Sequence, residues 1–474
     1  MVAVLAGCAS GSGMQPSRTA YDPGVLQAGS EITAARQEAV APQALPMWWT
    51  TFGDAQLNML MDLAAHDSPS IQIAESRLQE AEAASAGIAS NLLPTVDASA
   101  SVNANHFPGH STYPDPYAGS YGSDGAIGVK LVYQLDFWGK WHKAADAARL
   151  RVKSAEFEAA DAKLVLETAL VSAYVKLDAA YRLRDVATQG LAQRDGVLHL
   201  LQIRQQAGLS TDINAVTARD AVTQTRLDIA RYTAEIARRQ HEIAALLNKT
   251  PAFSDTLSRP DIHTLADPAP VSDVSAKLLG YRPDVSAQRS IVEAAAKEIG
   301  VAQAAFYPDV NLVAFAGLQS LGLGYLMRAS STLASIGPAI TLPIFEGGRL
   351  RAHLKGRVAE YDEAVSAYNA AIVTALQQVA DGIAAVKAAR ERQQEAQLAA
   401  RYWTHVVDLQ KIRQRNGLSD ANDLLATETA LLLSRRRVAE ADAEVADAQV
   451  SLIRALGGAW SPSSSITSAR INHD

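Results

Sequence analysis

Two hydrophobic periods alternate along this chain. From Thr95 to Asn105 every even position is apolar (Val96, Ala98, Ala100, Val102, Ala104) and every odd one polar, which is the period of a strand with two unlike faces. A second alternating run carries Ile127, Val129, Leu131, Tyr133 and Leu135 on one face. A third carries Val310, Leu312, Ala314, Ala316 and Leu318, and a fourth Ile336, Ile340, Leu342 and Ile344. Elsewhere the period lengthens. Gly139 to Gly208 and Gly348 to Gly417 are each 69 positions long and proline-free, as a helix interior requires. Each predicts a rod of roughly 100 Å. In the second rod Val358, Val365, Ile372, Val379 and Val386 recur every seven residues, with Tyr361, Tyr368 and Ala375 three residues after the first three. This a/d seam calls for left-handed coiled-coil packing against another helix. Leu150, Phe157, Leu164 and Val171 keep the same interval in the first rod.

The plan is used twice. Ser68-Pro69 starts a helix with serine at the cap and proline in the first turn, and Pro94 stops it near Leu93. Two strands, a rod, a turn at Gly208-Leu209-Ser210 and a returning helix to Leu247 follow. Arg282-Pro283 then restarts the series, Pro308 ends its first helix, and the second rod turns at Gly417-Leu418-Ser419. Pro69 and Pro94 match Pro283 and Pro308 at an offset of 214, whereas Gly139 and Gly208 match Gly348 and Gly417 at 209. The slack therefore lies in the strand-loop-strand part, and the rods are matched in length. The chain divides into residues 1–8, an N-terminal extended and amphipathic segment 9–67 opening with Trp48, Trp49 and Phe52, a first repeat 68–247, a connector 248–281, a second repeat 282–457 and a tail 458–474.

Such strands suit a half-buried soluble sheet or a bilayer wall. Each is about as long as a tilted crossing requires. Aromatic residues gather at their helix-side ends (Phe306, Tyr307, Tyr133, Phe137, Trp138, Phe345) like an interfacial girdle, and no helix is left over to cover a soluble sheet. Four strands cannot close on themselves, so protomers have to share a barrel, and the helices would wall a tube. Strand counting permits any multiple of four. The expected class is thus α+β, mostly α.

Composition narrows the functions. A net charge of −7 with no basic cluster argues against nucleic-acid binding, and no stretch approaches 18 apolar residues, so no transmembrane helix is expected. Cys8 is the single cysteine, which excludes a disulfide framework. Its context, Leu5-Ala6-Gly7-Cys8-Ala9, resembles a bacterial lipoprotein signal whose cysteine becomes lipidated. Only seven residues precede it and none is basic, so the start is placed too late or the match is chance. Catalytic patterns are missing: His106 and His110 have Pro108 between them, Gly122-Ser123-Asp124-Gly125 and Gly347-Gly348-Arg349 make no phosphate loop, and Gly417 to Asp423 lacks calcium-ligand spacing. Neither enzyme activity nor a cofactor or metal is expected.

Gly280-Tyr281-Arg282-Pro283-Asp284-Val285, Ile299-Gly300-Val301-Ala302-Gln303-Ala304, Pro343-Ile344-Phe345-Glu346-Gly347-Gly348-Arg349 and Ala455-Leu456-Gly457-Gly458-Ala459-Trp460 resemble the TolC-like outer-membrane factors, in particular their NodT-type lipoprotein branch. Trp48-Trp49 with Phe52-Gly53-Asp54 fits the same branch. The resemblance implies a homotrimer in outer-membrane lipid, with a 12-stranded β-barrel continued by an α-helical barrel through the periplasm. It implies a passive exit duct for small molecules, joined by a periplasmic adaptor to an inner-membrane pump of the resistance-nodulation-division or major-facilitator type. By the same resemblance the adaptor docks at the turns Gly208, Leu209, Ser210 and Gly417, Leu418, Ser419, and Asp420 and Asp423, with Asp212, form a periplasmic gate. Three copies of each acid would make rings that concentrate cations. The same acids would also suit helix N-termini in each protomer. Gln414 and Ser419 stand where some relatives have the tyrosine and arginine that tie the tip shut. A protein-secretion exit duct and a soluble coiled-coil scaffold are the other readings; a neighbouring exporter gene and cell fractionation separate them.

Overall fold

A computed structural model describes residues 14–22, 47–110, 112, 115–262, 282–419 and 421–458. The elements run, in order, α1 (Ala55–Asp67), α2 (Pro69–Ala89), β1 (Thr95–His106), β2 (Tyr121–Gln134), α3 (Lys140–Gln206), α4 (Asp212–Leu246), α5 (Pro283–Ala304), β3 (Asp309–Leu321), β4 (Thr332–Thr341), α6 (Arg349–Arg415) and α7 (Ala421–Ala455). The duplication is kept to the residue in the long helical hairpins: α3 and α6 each have 67 residues, α4 and α7 each 35. Cys8, Asp420, Tyr281 and the tail beyond Gly458 lie outside the described residues.

Two compact units are present. In the first, residues 14–20, 77–155 and 287–368, the strands pair antiparallel in the order β1-β2-β3-β4. β4 ends at Thr341, so Leu342 and Ile344, expected on the fourth strand, lie beyond it. Pro343 follows and has no N–H to give the ladder. At the other end α2 stops at Ala89 and tightens into a 3-10 turn at Ser90–Leu92, a common way for a helix to finish before a proline. The helix ends of this unit close over Ile299, Ala302, Leu354 and Val358. The extended residues Ser17 and Arg18 donate their backbone N–H groups to Asp362 (3.0 Å each), which holds its carboxyl below the usual range through hydrogen bonds led by the Ser17 hydroxyl.

The second unit contains residues 21–22, 47–76, 156–262, 282–286 and 369–458. In it the seam residues Val379 and Val386 of α6 are buried, as are Leu164 and Val171 of α3. Its largest core joins Leu170, Tyr174 and Leu177 of α3 to Trp48, Trp49, Phe52, Leu57 and Leu60 and to Ile243 and Leu247 at the end of α4. Asp54 organises this core. It is buried and caps α1 by accepting from the N–H of Gln56 (2.8 Å) and of Leu57 (3.2 Å). It also takes the Tyr174 hydroxyl and the Asp261 N–H, both at 2.8 Å. Removing an acceptor that serves four donors strands several of them, at about 2 kcal/mol. Asp54→Ala is therefore expected to lower the unfolding midpoint of the detergent-purified chain, followed by helical circular dichroism, and Asp54→Asn to lower it less.

Arg282, the residue before α5, is likewise buried. It grips Asp284 at 3.0 and 2.7 Å, Gln378 at 2.8 Å, and the carbonyl of Ala455 at 2.9 Å. A cation thus sits at the C-terminus of α7, where free carbonyls and the helix dipole favour it.

Candidate functional site: the strand faces and the helical turns

Register assigns every strand residue to a face, because directly paired residues point the same way. Val96, Ala98, Ala100 and Val102 pair with Leu131, Val129, Ile127 and Gly125. Ile127, Val129 and Leu131 pair in turn with Leu318, Ala316 and Ala314, and Ala314 and Ala316 with Ile336 and Ala334. One face is therefore apolar across all four strands. The other carries the polar residues, Asp97, Ser99, Ser101 and Asn103 of β1, Lys130 and Asp124 of β2, Gln319 of β3 and Ser335 of β4, interspersed with Val132, Val313, Leu321 and Leu333. Asp124 is tied there by the amides of Asn103 and Asn105.

In the middle of this second face Phe315, paired with Lys130 and Ser335, lies in a slot made by two glycines. Gly128 and Gly317 pair with each other, and a Cβ on Gly128 would come 2.5 Å from the Phe315 ring. The ring is thereby laid along the wall instead of projecting from it.

At the helix-side ends Trp138 stacks on Tyr307, with ring centroids 4.6 Å apart, and donates its indole N–H to the carbonyl of Pro308 (2.9 Å). Phe137 and Phe345 are exposed, Tyr133 is partly buried in β2, and Phe306 packs against the Ile299–Leu354 cluster. Phe306 therefore differs from the others in serving the helix core. Asp136 accepts from the N–H and Nδ1 of His142 at the start of α3. Backbone N–H groups of that turn hold its carboxyl below the ordinary range despite burial.

In the second unit both turns have one geometry. Gly208 and Gly417 have φ of 73°, the left-handed region that glycine enters without strain. Leu209 donates to Arg204 (2.8 Å) and Gly208 to Gln205 (3.0 Å); Leu418 donates to Arg413 (2.9 Å) and Gly417 to Gln414 (3.1 Å). These are paired Schellman closures, and they leave Leu209 and Leu418 exposed. Asp212 and Asp423 occupy first turns of α4 and α7. The amide of Gln205 donates to Asp212 (3.0 Å), and the Ser419 hydroxyl donates to Asp423 (2.9 Å) while receiving the Gln410 amide.

Behind the turns lies a charged group that the sequence reading passed over. Arg194 of α3 is buried and donates to Ala221 and Thr225 of α4 and to Thr429 of α7. Glu428 beside it is also buried, and burial pushes its carboxyl up against the pull of Lys411 and Arg194. The sequence carries a signal for a different buried charge: the Leu150–Val171 heptad runs on to Asp178, which is buried and paired with Arg182 at 2.6 Å.

A profile of the family described as outer membrane efflux protein matches residues 60–249 and 274–458. Fusaric acid resistance protein FusA of Burkholderia cepacia is 35% identical over 356 residues, 74% of this chain and 66% of FusA. Multidrug resistance outer membrane protein MdtQ of Escherichia coli O157:H7 is 28% identical over 475 residues, 97% of each chain. The crystal structure of the outer membrane protein VceC from Vibrio cholerae is similar at a TM-score of 0.80 and 30% identity, covering 87% of this chain and 98% of VceC.

Proposed function

Because the chain belongs to the outer membrane efflux protein family, we propose that it is the outer-membrane channel of a tripartite efflux system, a passive homotrimeric duct for small toxic molecules. The observation that carries this reading is the four-stranded sheet with one apolar and one polar face and two free edges, β1 and β4. A bilayer tolerates no open edge, so neighbouring copies complete the wall. Three copies give twelve strands, with the apolar face toward lipid and the polar face toward water. The helices support the same assembly: Tyr402, Val406, Leu409 and Ile412 form an exposed apolar stripe on α6 at three- and four-residue spacing, suited to a neighbouring helix.

In this reading a periplasmic adaptor docks on the glycine-closed turns at Gly208-Leu209-Ser210 and Gly417-Leu418-Ser419. An inner-membrane pump of the resistance-nodulation-division or major-facilitator type supplies the energy. Cys8 carries the lipid anchor. Asp212 and Asp423, in the first turns of their helices, and Asp420 form rings between protomers.

Planar-bilayer recording tests the duct and its gate together. The purified protein is expected to conduct, with cations preferred. Asp420→Asn combined with Asp423→Asn is expected to reduce that preference and raise conductance, while Asp212→Asn has the smaller effect. Unchanged selectivity would remove the gate from these acids.

A further inference from the structure

We propose that the segment joining β3 to β4, residues 322–331, is a lipid-seated collar of the outer leaflet and not an aqueous loop; this rests on the reading of the apolar sheet face as lipid-facing. The two strand-connecting loops fold to opposite sides of the sheet. Gly125 belongs to the apolar face through its pairing with Val102 and Ser320. A Cβ built there would come 2.9 Å from Leu323 and 3.1 Å from Leu326, so these leucines lie over that face, in line with Ile127, Val129 and Leu131. Gly122 belongs to the polar face through Asn105, and its Cβ would meet the ring of Phe107 at 2.7 Å. The β1–β2 loop, with Tyr117 edge-on to Phe107, thus covers the polar side.

The collar is ordered and apolar at once. Tyr325, Leu326, Arg328 and Ser331 each donate a backbone N–H three residues back, to Gly322, Leu323, Tyr325 and Arg328, and the Ser331 hydroxyl binds the Tyr325 carbonyl at 2.7 Å. On this braced segment Leu323 is 41% exposed, Tyr325 50% and Met327 79%. An ordered loop in water would hold such side chains at a cost, whereas beside acyl chains they continue the lipid-facing wall. Arg328 lies over the Tyr325 ring at 4.5 Å. An arginine stacked on an interfacial tyrosine is suited to the phosphates of the head-group layer above the acyl chains. The partner is therefore the bilayer itself, its acyl chains reached by Leu323 and Met327 and its head groups by Arg328.

Photo-crosslinking in native outer membranes tests this. The full chain carries benzoylphenylalanine in place of Met327, of Ile336 on the apolar strand face, or of His110 in the β1–β2 loop, and covalent lipid adducts are read by mass spectrometry. The expected result is adducts at 327 and 336, both several-fold above 110. Adducts at 336 without any at 327 overturn the collar and leave the lipid-facing wall standing. Adducts at neither position overturn the wall, and the collar with it.

Discussion

Gly317→Val is expected to abolish the channel, leaving no stable protein in the outer-membrane fraction. Gly317 pairs with Gly128 in the middle of the β2–β3 ladder. A Cβ at this position would run into the carbonyl oxygen of Ile127 and would lie 2.6 Å from the Cα of Gly128. Both are backbone atoms of the neighbouring strand, so no rotamer change relieves the clash. The Phe315 ring, 3.0 Å away, closes the remaining exit. The strands have to separate or slip, and a one-residue slip exchanges the lipid and water faces of the sheet. The cost exceeds the usual 1–3 kcal/mol of overpacking. Gly128→Val is expected to be milder, because the Phe315 side chain in its path can turn and the one backbone atom close to its Cβ, the Ala316 carbonyl oxygen, is 2.9 Å away. Fractionation and heat-modifiable mobility of the two variants read the difference. Equal, wild-type amounts of both in the outer membrane would contradict the glycine-slot account.

Glu167→Gln is expected to stabilise the protein by an amount that grows between pH 4.5 and about 7 and is constant above. The Glu167 carboxyl is partly buried in α3, and that burial pushes it from 4.5 up to about 7, with Lys163 pulling the other way. The carboxylate oxygen and the ammonium are 4.0 Å apart. The folded chain therefore prefers the neutral acid. Below pH 4.5 the group is neutral folded or unfolded and contributes nothing to the pH dependence. As pH rises toward 7 the unfolded chain ionises it freely while the folded chain resists, so stability falls, and above 7 the loss is complete. The size of the shift sets that loss on the order of 3 kcal/mol. Denaturant midpoints of wild type and Glu167→Gln at pH 4 and pH 8 measure it: coincident at pH 4, with the variant higher at pH 8. Asp161 and Asp178 are also raised by burial, so the difference between variant and wild type, rather than the wild-type curve, isolates Glu167. A variant less stable at pH 8 would mean that the ionised Lys163 pair outweighs burial.

What the sequence revealed were features that repeat along one chain. Helix ends were marked by Pro69, Gly208, Pro283 and Gly417, since a missing N–H or a left-handed φ acts locally. The Val358–Val386 heptad named residues that are all buried, and the alternation from Thr95 named the faces of β1. Features that depend on which residues meet were not visible. Phe315, Gly128 and Gly317 come together only through the β2–β3 register. Asp54 gathers donors from Tyr174 and Asp261, far away in sequence. Arg194 reads locally as one more charge on a solvated helix face, and only the approach of α4 and α7 buries it. The end of β4 was misplaced because alternation continues through Leu342 and Ile344 although Pro343 has left the ladder.

The central claim is that this four-stranded sheet is completed by copies of the same chain in the outer membrane. Its most direct test is the native mass of the complex extracted in detergent from outer-membrane fractions of cells expressing the chain with an export signal. A particle of three chains is the expected result. A monomer, or a protein found only in the soluble fraction, would contradict the account, because four strands with two open edges have no stable place in a bilayer.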